Sequence, residues 1–110
     1  MKDNLFYLHH INEAINHIDS FIDDSDFESF ESDRMMINAV IKELEIIGEA
    51  ANNVDKSFRN NHPEILWRKM IDMRNFLIHE YFGIRKKLVW DTCKNDLPEL
   101  KDVVNKILNK

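Results

Sequence analysis

LWRKMIDMRNFLIHEY, residues 66 to 81, carries apolar and polar side chains in separate lines at helical spacing. Leu66, Met70, Met73 and Leu77 recur at steps of three and four, Trp67, Ile71 and Ile78 form a second apolar line, and Arg68, Asp72, Asn75 and His79 make a polar stripe. That spacing specifies an α-helix with a buried side. One residue breaks the pattern. At about 100° per residue, Arg74 falls between Ile71 and Ile78, on the side of Trp67, although the polar stripe offers a hydrated position one residue away. An unpaired buried guanidinium costs several kcal/mol, so Arg74 has to reach a carboxylate, a phosphate or a water-filled cleft. Pairing with an acid, with the stem packed on apolar surface, accounts for it without any function. A functional site is the other reading.

The same periodicity runs outward in both directions. Leu8, Ile11, Ile15, Ile18 and Ile22 give a first helix of roughly 20 residues. DDSDFESFESD, residues 23 to 33, is acidic and rich in turn formers and reads as a connection with a short helical turn around Phe27 and Phe30. Met36, Val40, Leu44, Ile47, Ala51 and Val54 mark a second helix. Within it Gly48 costs roughly 1 kcal/mol relative to alanine, which points to close approach of a neighbouring helix. Glu49 beside it reads as exposed rather than catalytic. Residues 57 to 67 hold turn formers and then Pro63, which suits a first helical turn, so the third helix is expected to start there and to end at Phe82-Gly83. Lys86 to Cys93 form a short fourth helix, and Pro98 starts or kinks a last one carrying Leu100, Val103, Val104, Ile107 and Leu108. The expectation is one all-α domain over residues 1–110, an up-down bundle of four main helices with a bent or divided last helix.

Composition narrows the chemistry. Gly48 and Gly83 are the only glycines, so neither G-x-G-x-x-G nor a P-loop can be written in this sequence. Cys93 is the only cysteine, which excludes an internal disulfide and a C-x-x-C pair and reads as a small buried apolar residue. His10, Glu13 and His17 share one side of the first helix, but two histidines and one carboxylate without H-E-x-x-H are weak grounds for a metal, and a solvated polar face is the preferred reading. No cofactor and no metal is expected. No apolar run is long enough to span a membrane and no signal peptide is evident, so a cytoplasmic protein is expected.

IGEAANNV (47–54), HPEILWRKMIDMRNFLIHEYFGI (62–84) and LVWDTCKNDLPELK (88–101) follow one another in an order that resembles the HepT-like toxins of the HEPN superfamily. The specific element is R-x4-H-x-Y, which Arg74, His79 and Tyr81 fill without a gap. The resemblance implies an all-α homodimer acting as a metal-independent endoribonuclease, with Arg74 and His79 facing a cleft between protomers. It further implies a type VII-like toxin–antitoxin pair, in which a nucleotidyltransferase antitoxin neutralises the toxin by transferring AMP to Tyr81. RNA is then the substrate, with no DNA expected. One departure stands at Arg85, where an acidic helix cap would be common.

Elementary chemistry suits that expectation. Cleaving RNA without a metal needs a proton acceptor and donor, for which histidine titrates near neutrality, and a cation for the charge on phosphate, for which arginine offers a planar fork. Asn75 is placed to orient the phosphate through its amide. The net charge of −5 opposes polyanion binding, but it is unevenly distributed. Residues 59 to 87 hold seven Lys or Arg against three acids, or +4, whereas residues 1 to 58 hold four against thirteen, or −9. The apolar line of Trp67, Ile71 and Ile78 exceeds what a small bundle covers comfortably and adds to the case for a homodimer. Two other readings compete: a non-catalytic nucleotide- or partner-binding subunit of a nucleotidyltransferase complex, and a plain interaction bundle in which Arg74 is a salt-bridged residue.

Overall fold

Three aspartates set where the first helices begin. The computed structural model of the chain describes residues 3–79 and 85–109, except for the side chains of Ile78 and His79. Helix α1 spans Asn4–Ile22, α2 Phe27–Ser32 and α3 Arg34–Asn53. Asp3, Asp26 and Asp33 cap them, accepting from the N–H groups of Phe6 at 2.9 Å, Ser29 at 2.8 Å and Met36 at 3.0 Å. Each carboxylate thereby satisfies a donor that has no partner inside its helix. The bonds from Ser29 hold the Asp26 carboxyl below its ordinary pKa. The acidic connection is thus partly a pair of helix starts, and α2 packs Phe27 and Phe30 on Trp90, with ring centroids 6.1 and 5.1 Å apart.

The remaining elements are α4 (Lys56–Asn61), α5 (Trp67–His79), α6 (Lys86–Asp91) and α7 (Leu97–Leu108), with a π-helical turn at Thr92–Asp96 joining the last two. No strand occurs among the described residues, and the all-α expectation holds. Helix α3 lies at the centre, packed against α1 on one side and α5 on the other, while α7 packs on α1. Leu8, Ile11, Ile15, Ile18 and Ile22 are all buried, as are Val40, Leu44, Ile47 and Ala51 on α3. The last helix is divided as expected. Pro98 offers no N–H to the carbonyl four residues earlier and its ring crowds that position, and the wider turn just before it removes the conflict. There the Leu97 N–H reaches back to the Thr92 carbonyl.

Three expectations need correction. Lys56–Asn61 is helical, although its Asn and Ser residues read as a turn. Helix α5 begins at Trp67, four residues after Pro63, because residues 63–65 form a turn in which Ile65 N–H bonds the His62 carbonyl at 3.2 Å. Leu66 therefore precedes the helix and is exposed. Trp67, by contrast, is buried within the chain and donates its indole N–H to the His62 carbonyl at 3.0 Å, so it leaves no apolar surface for a second copy to cover. Arg85 precedes α6 without a side-chain capping bond, and Phe82-Gly83, the expected end of α5, lies outside the described residues.

Gly48 has the packing reason its cost implies. A Cβ there would run into the Cβ of Arg74 and lie 2.8 Å from the Met70 carbonyl oxygen, so only glycine lets α3 and α5 come this close. Neither obstacle is the far end of a flexible side chain. Gly48→Ala should therefore destabilise the fold by about 1–3 kcal/mol through overpacking, despite a helix-propensity gain of about 1 kcal/mol. Urea unfolding followed by tryptophan fluorescence measures this; equal or greater stability would contradict the close packing.

Candidate functional site

Arg74 is carried to α3 by the contact at Gly48. Its first side-chain carbons lie against the glycine, and its head emerges at the edge of the α3–α5 seam. There Nη2 pairs with Glu49 Oε2 at 2.7 Å and Nη1 donates to Asn75 Oδ1 at 2.9 Å. The Arg74 side chain is 28% exposed and that of Glu49 53%. The arginine that is out of pattern has thus found an acid, one of the three partners its position demands. A pair this open to water contributes roughly 0–1 kcal/mol at most. It orients the guanidinium more than it stabilises the fold. Two contacts also leave donors of the five-donor fork for another acceptor.

Asn75 follows Arg74 directly and is exposed, with its amide oxygen on Arg74 and its side chain lining a groove of about 1160 Å³ along α5. Arg74 and Asn75 are therefore brought together. His79 is the last residue of α5, on the same unbroken helix as Arg74, and its side chain lies outside the described residues. So does all of Tyr81. A smaller cavity of about 370 Å³, lined in part by Leu44, Ile47, Met70 and Met73, includes neither Arg74 nor Asn75.

Glu49 is the participant that the sequence reading set aside. It is exposed as expected, but it is also the ion-pair partner of Arg74. The available signal was its adjacency to Gly48: if a glycine marks the crossing of two helices, the next residue stands at that crossing.

The other polar candidates resolve differently. His17 Nδ1 bonds Glu43 Oε1 at 2.7 Å, which joins α1 to α3 and covers a carboxylate only 11% exposed. His10 packs its ring on Phe6, with centroids 4.4 Å apart. No group of three His, Cys, Asp or Glu among the described residues is arranged to hold a metal. Cys93 is buried, and burial, with Asp19 adding to it, pushes its thiol pKa up to about 12. It stays protonated and offers no nucleophile near neutrality.

The chain matches the family described as ribonuclease HepT-like over residues 11–107. It is 46% identical over 101 residues to "Probable ribonuclease HepT" of Thermococcus cleftensis, covering 92% of each chain. It is 38% identical over 110 residues to "Putative RNase TTE0752" of Caldanaerobacter subterraneus subsp. tengcongensis, covering 100% of this chain and 98% of that protein. No solved structure matches it. An R-x4-H-x-Y element whose arginine and histidine lie on α5, an arginine held at the α3–α5 seam and similarity along nearly the whole length lead to one assignment: the chain belongs to the HepT-like ribonuclease family.

Proposed function

We propose that this chain is a metal-independent endoribonuclease and the toxin of a type VII-like toxin–antitoxin pair. The observation that carries the proposal is a family match that spans the motif, joined to an Arg74 fork that is oriented and within reach of solvent. In this reading the ribose 2′-hydroxyl attacks the neighbouring phosphorus and the bond to the 5′ oxygen breaks. A base takes the 2′ proton and an acid supplies one to the leaving oxygen, giving a 2′,3′-cyclic phosphate and a 5′-hydroxyl. His79 is assigned to either task because an imidazole can both accept and donate a proton. Arg74 neutralises charge on the phosphate oxygens through paired N–H donors, and Asn75 orients the phosphate. One histidine fills only one role at a time, so a homodimer with Arg74 and His79 of both copies in one cleft supplies an acid and a base together.

A second reading has its own observation. Because Arg74 already holds Glu49, the motif is also compatible with a non-catalytic subunit that binds a nucleotide or a nucleotidyltransferase. Expression without a partner separates the two, since only the toxin arrests growth.

The purified chain is expected to sediment as a dimer and to cleave RNA in EDTA. Arg74→Ala and His79→Ala should each retain dimer and helix content while losing about 100-fold or more in cleavage rate. Cleavage by His79→Ala at the wild-type rate, a strict need for magnesium, or a monomer at micromolar concentration would each contradict the mechanism.

Tyr81 is the proposed acceptor of AMP from the antitoxin. Attack of its hydroxyl on the α-phosphorus of ATP releases pyrophosphate and leaves a phosphodiester close in sequence to Arg74. The added negative charge engages the guanidinium and the adenosine fills the cleft, so inhibition needs no change of fold. Co-expression with the nucleotidyltransferase should add one or more AMP masses to the peptide containing Tyr81, and Tyr81→Phe should remain toxic beside that partner. If the partner neutralises Tyr81→Phe as well as wild type, it acts by binding and not by modification.

A further inference from the structure

We infer that the groove beside α5 is the path of a single strand of RNA toward Arg74, an inference that rests on the ribonuclease reading above. The groove, of about 1160 Å³, runs between the end of α3, helix α4 and the flank of α5. Helix α4 contributes Lys56 and Arg59 to one wall, and α5 contributes Arg68 to the other. Lys69 also lines it, but its ammonium is held by Asp96 at 2.9 Å. Lys56 is exposed and has no ion-pair partner among the described residues. Arg59 is anchored through Nε to the Val54 carbonyl at 3.1 Å, which leaves its terminal nitrogens for another acceptor. Arg68 is 89% exposed and only loosely joined to Asp72 at 3.4 Å, an i,i+4 surface pair that a phosphate can displace.

Asp72 is the carboxylate on these walls, against three available cations, in a chain whose net charge is −5. A local excess of positive charge on an acidic protein is the electrostatic footprint of a polyanion site. Ile71, the half-buried Phe76, Asn52 and Asn60 also line the groove. Cations for phosphates, an aromatic surface for bases and amides for base edges suit a strand whose bases are free. A duplex presents its backbone and keeps its bases stacked. A second copy of the chain seated along the groove itself would set Lys56, Arg59 and Arg68 against like charges, so the dimer cleft proposed above is placed at the Arg74 end and not along the groove.

Asn75 fixes the direction of the path. It lines the groove while its Oδ1 accepts from Arg74 Nη1 at 2.9 Å, so a strand that leaves the groove at Asn75 delivers its next phosphate to the arginine. The sites where RNA is held and where it is cut are then one side chain apart.

The test uses the full chain and a labelled single strand of about 12 nucleotides carrying 2′-O-methyl groups, which lacks the attacking hydroxyl and is not consumed. Lys56→Ala/Arg68→Ala should weaken binding about tenfold near 0.1 M salt and flatten the log–log salt dependence by about 1.4, or about 0.7 for each lost phosphate contact. Lys42→Ala/Lys106→Ala removes as much charge from exposed positions outside the groove and should leave the salt slope unchanged. Equal losses in the two double variants, no loss in either, no binding by the wild type, or equal loss on a duplex of the same sequence overturns the inference. Cleavage of unmodified RNA is measured separately. Groove-dependent binding by a wild type that cuts nothing leaves the groove standing and the ribonuclease reading fallen. Active cleavage with no groove dependence does the reverse.

Discussion

Close approach of α3 and α5 at Gly48 is the constraint from which the candidate site follows. The missing Cβ lets the stem of Arg74 lie directly on α3, where any other residue would collide with it and with the Met70 carbonyl. That contact turns an arginine on an apolar helical face into one whose head reaches the surface beside Glu49 and Asn75. The helix-interior glycine weakens α3 by roughly 1 kcal/mol. It is tolerated because the packing of α3 between α1 and α5 stabilises the element through its neighbours.

Charge placement reconciles an acidic protein with a polyanionic substrate. Much of the acid is committed to structure: Asp3, Asp26 and Asp33 cap helices, Glu43 meets His17 on α1, and Asp19 meets Lys101 at 3.5 Å. The basic excess falls instead on residues 59 to 87, with seven Lys or Arg against three acids, the portion that carries Arg74 and most of the groove lining. Net charge describes the whole molecule, whereas a strand of nucleic acid responds to the field of the surface it approaches.

The bundle was legible because its main helices follow one rule. Ile11, Ile15, Ile18 and Ile22 bury as their spacing demands, and Pro98 marks the division of the last helix. Helix α4 was not legible: six residues are too few for periodicity to show, and Asn60 and Asn61 carry turn propensity that the local fold overrides. The start of α5 was misplaced because Pro63 serves a turn as readily as a first helical turn. At the site, the sequence marked Arg74 as anomalous and Gly48 as a crossing point, yet the pairing of Arg74 with Glu49 needed the register of α3 against α5, which side-chain spacing within either helix does not contain.

In the proposed reaction a site built around Arg74 cuts RNA by using the ribose 2′-hydroxyl, with protein side chains supplying proton transfer and charge neutralisation. The most direct measurement is the chemistry of the cut ends, read by mass spectrometry of fragments produced by the purified chain in EDTA. Attack by the 2′-hydroxyl leaves 2′,3′-cyclic phosphate and 5′-hydroxyl termini, and gives no cleavage at positions where that hydroxyl is methylated. Termini with 3′-hydroxyl and 5′-phosphate, or cleavage that ignores 2′ methylation, would contradict it.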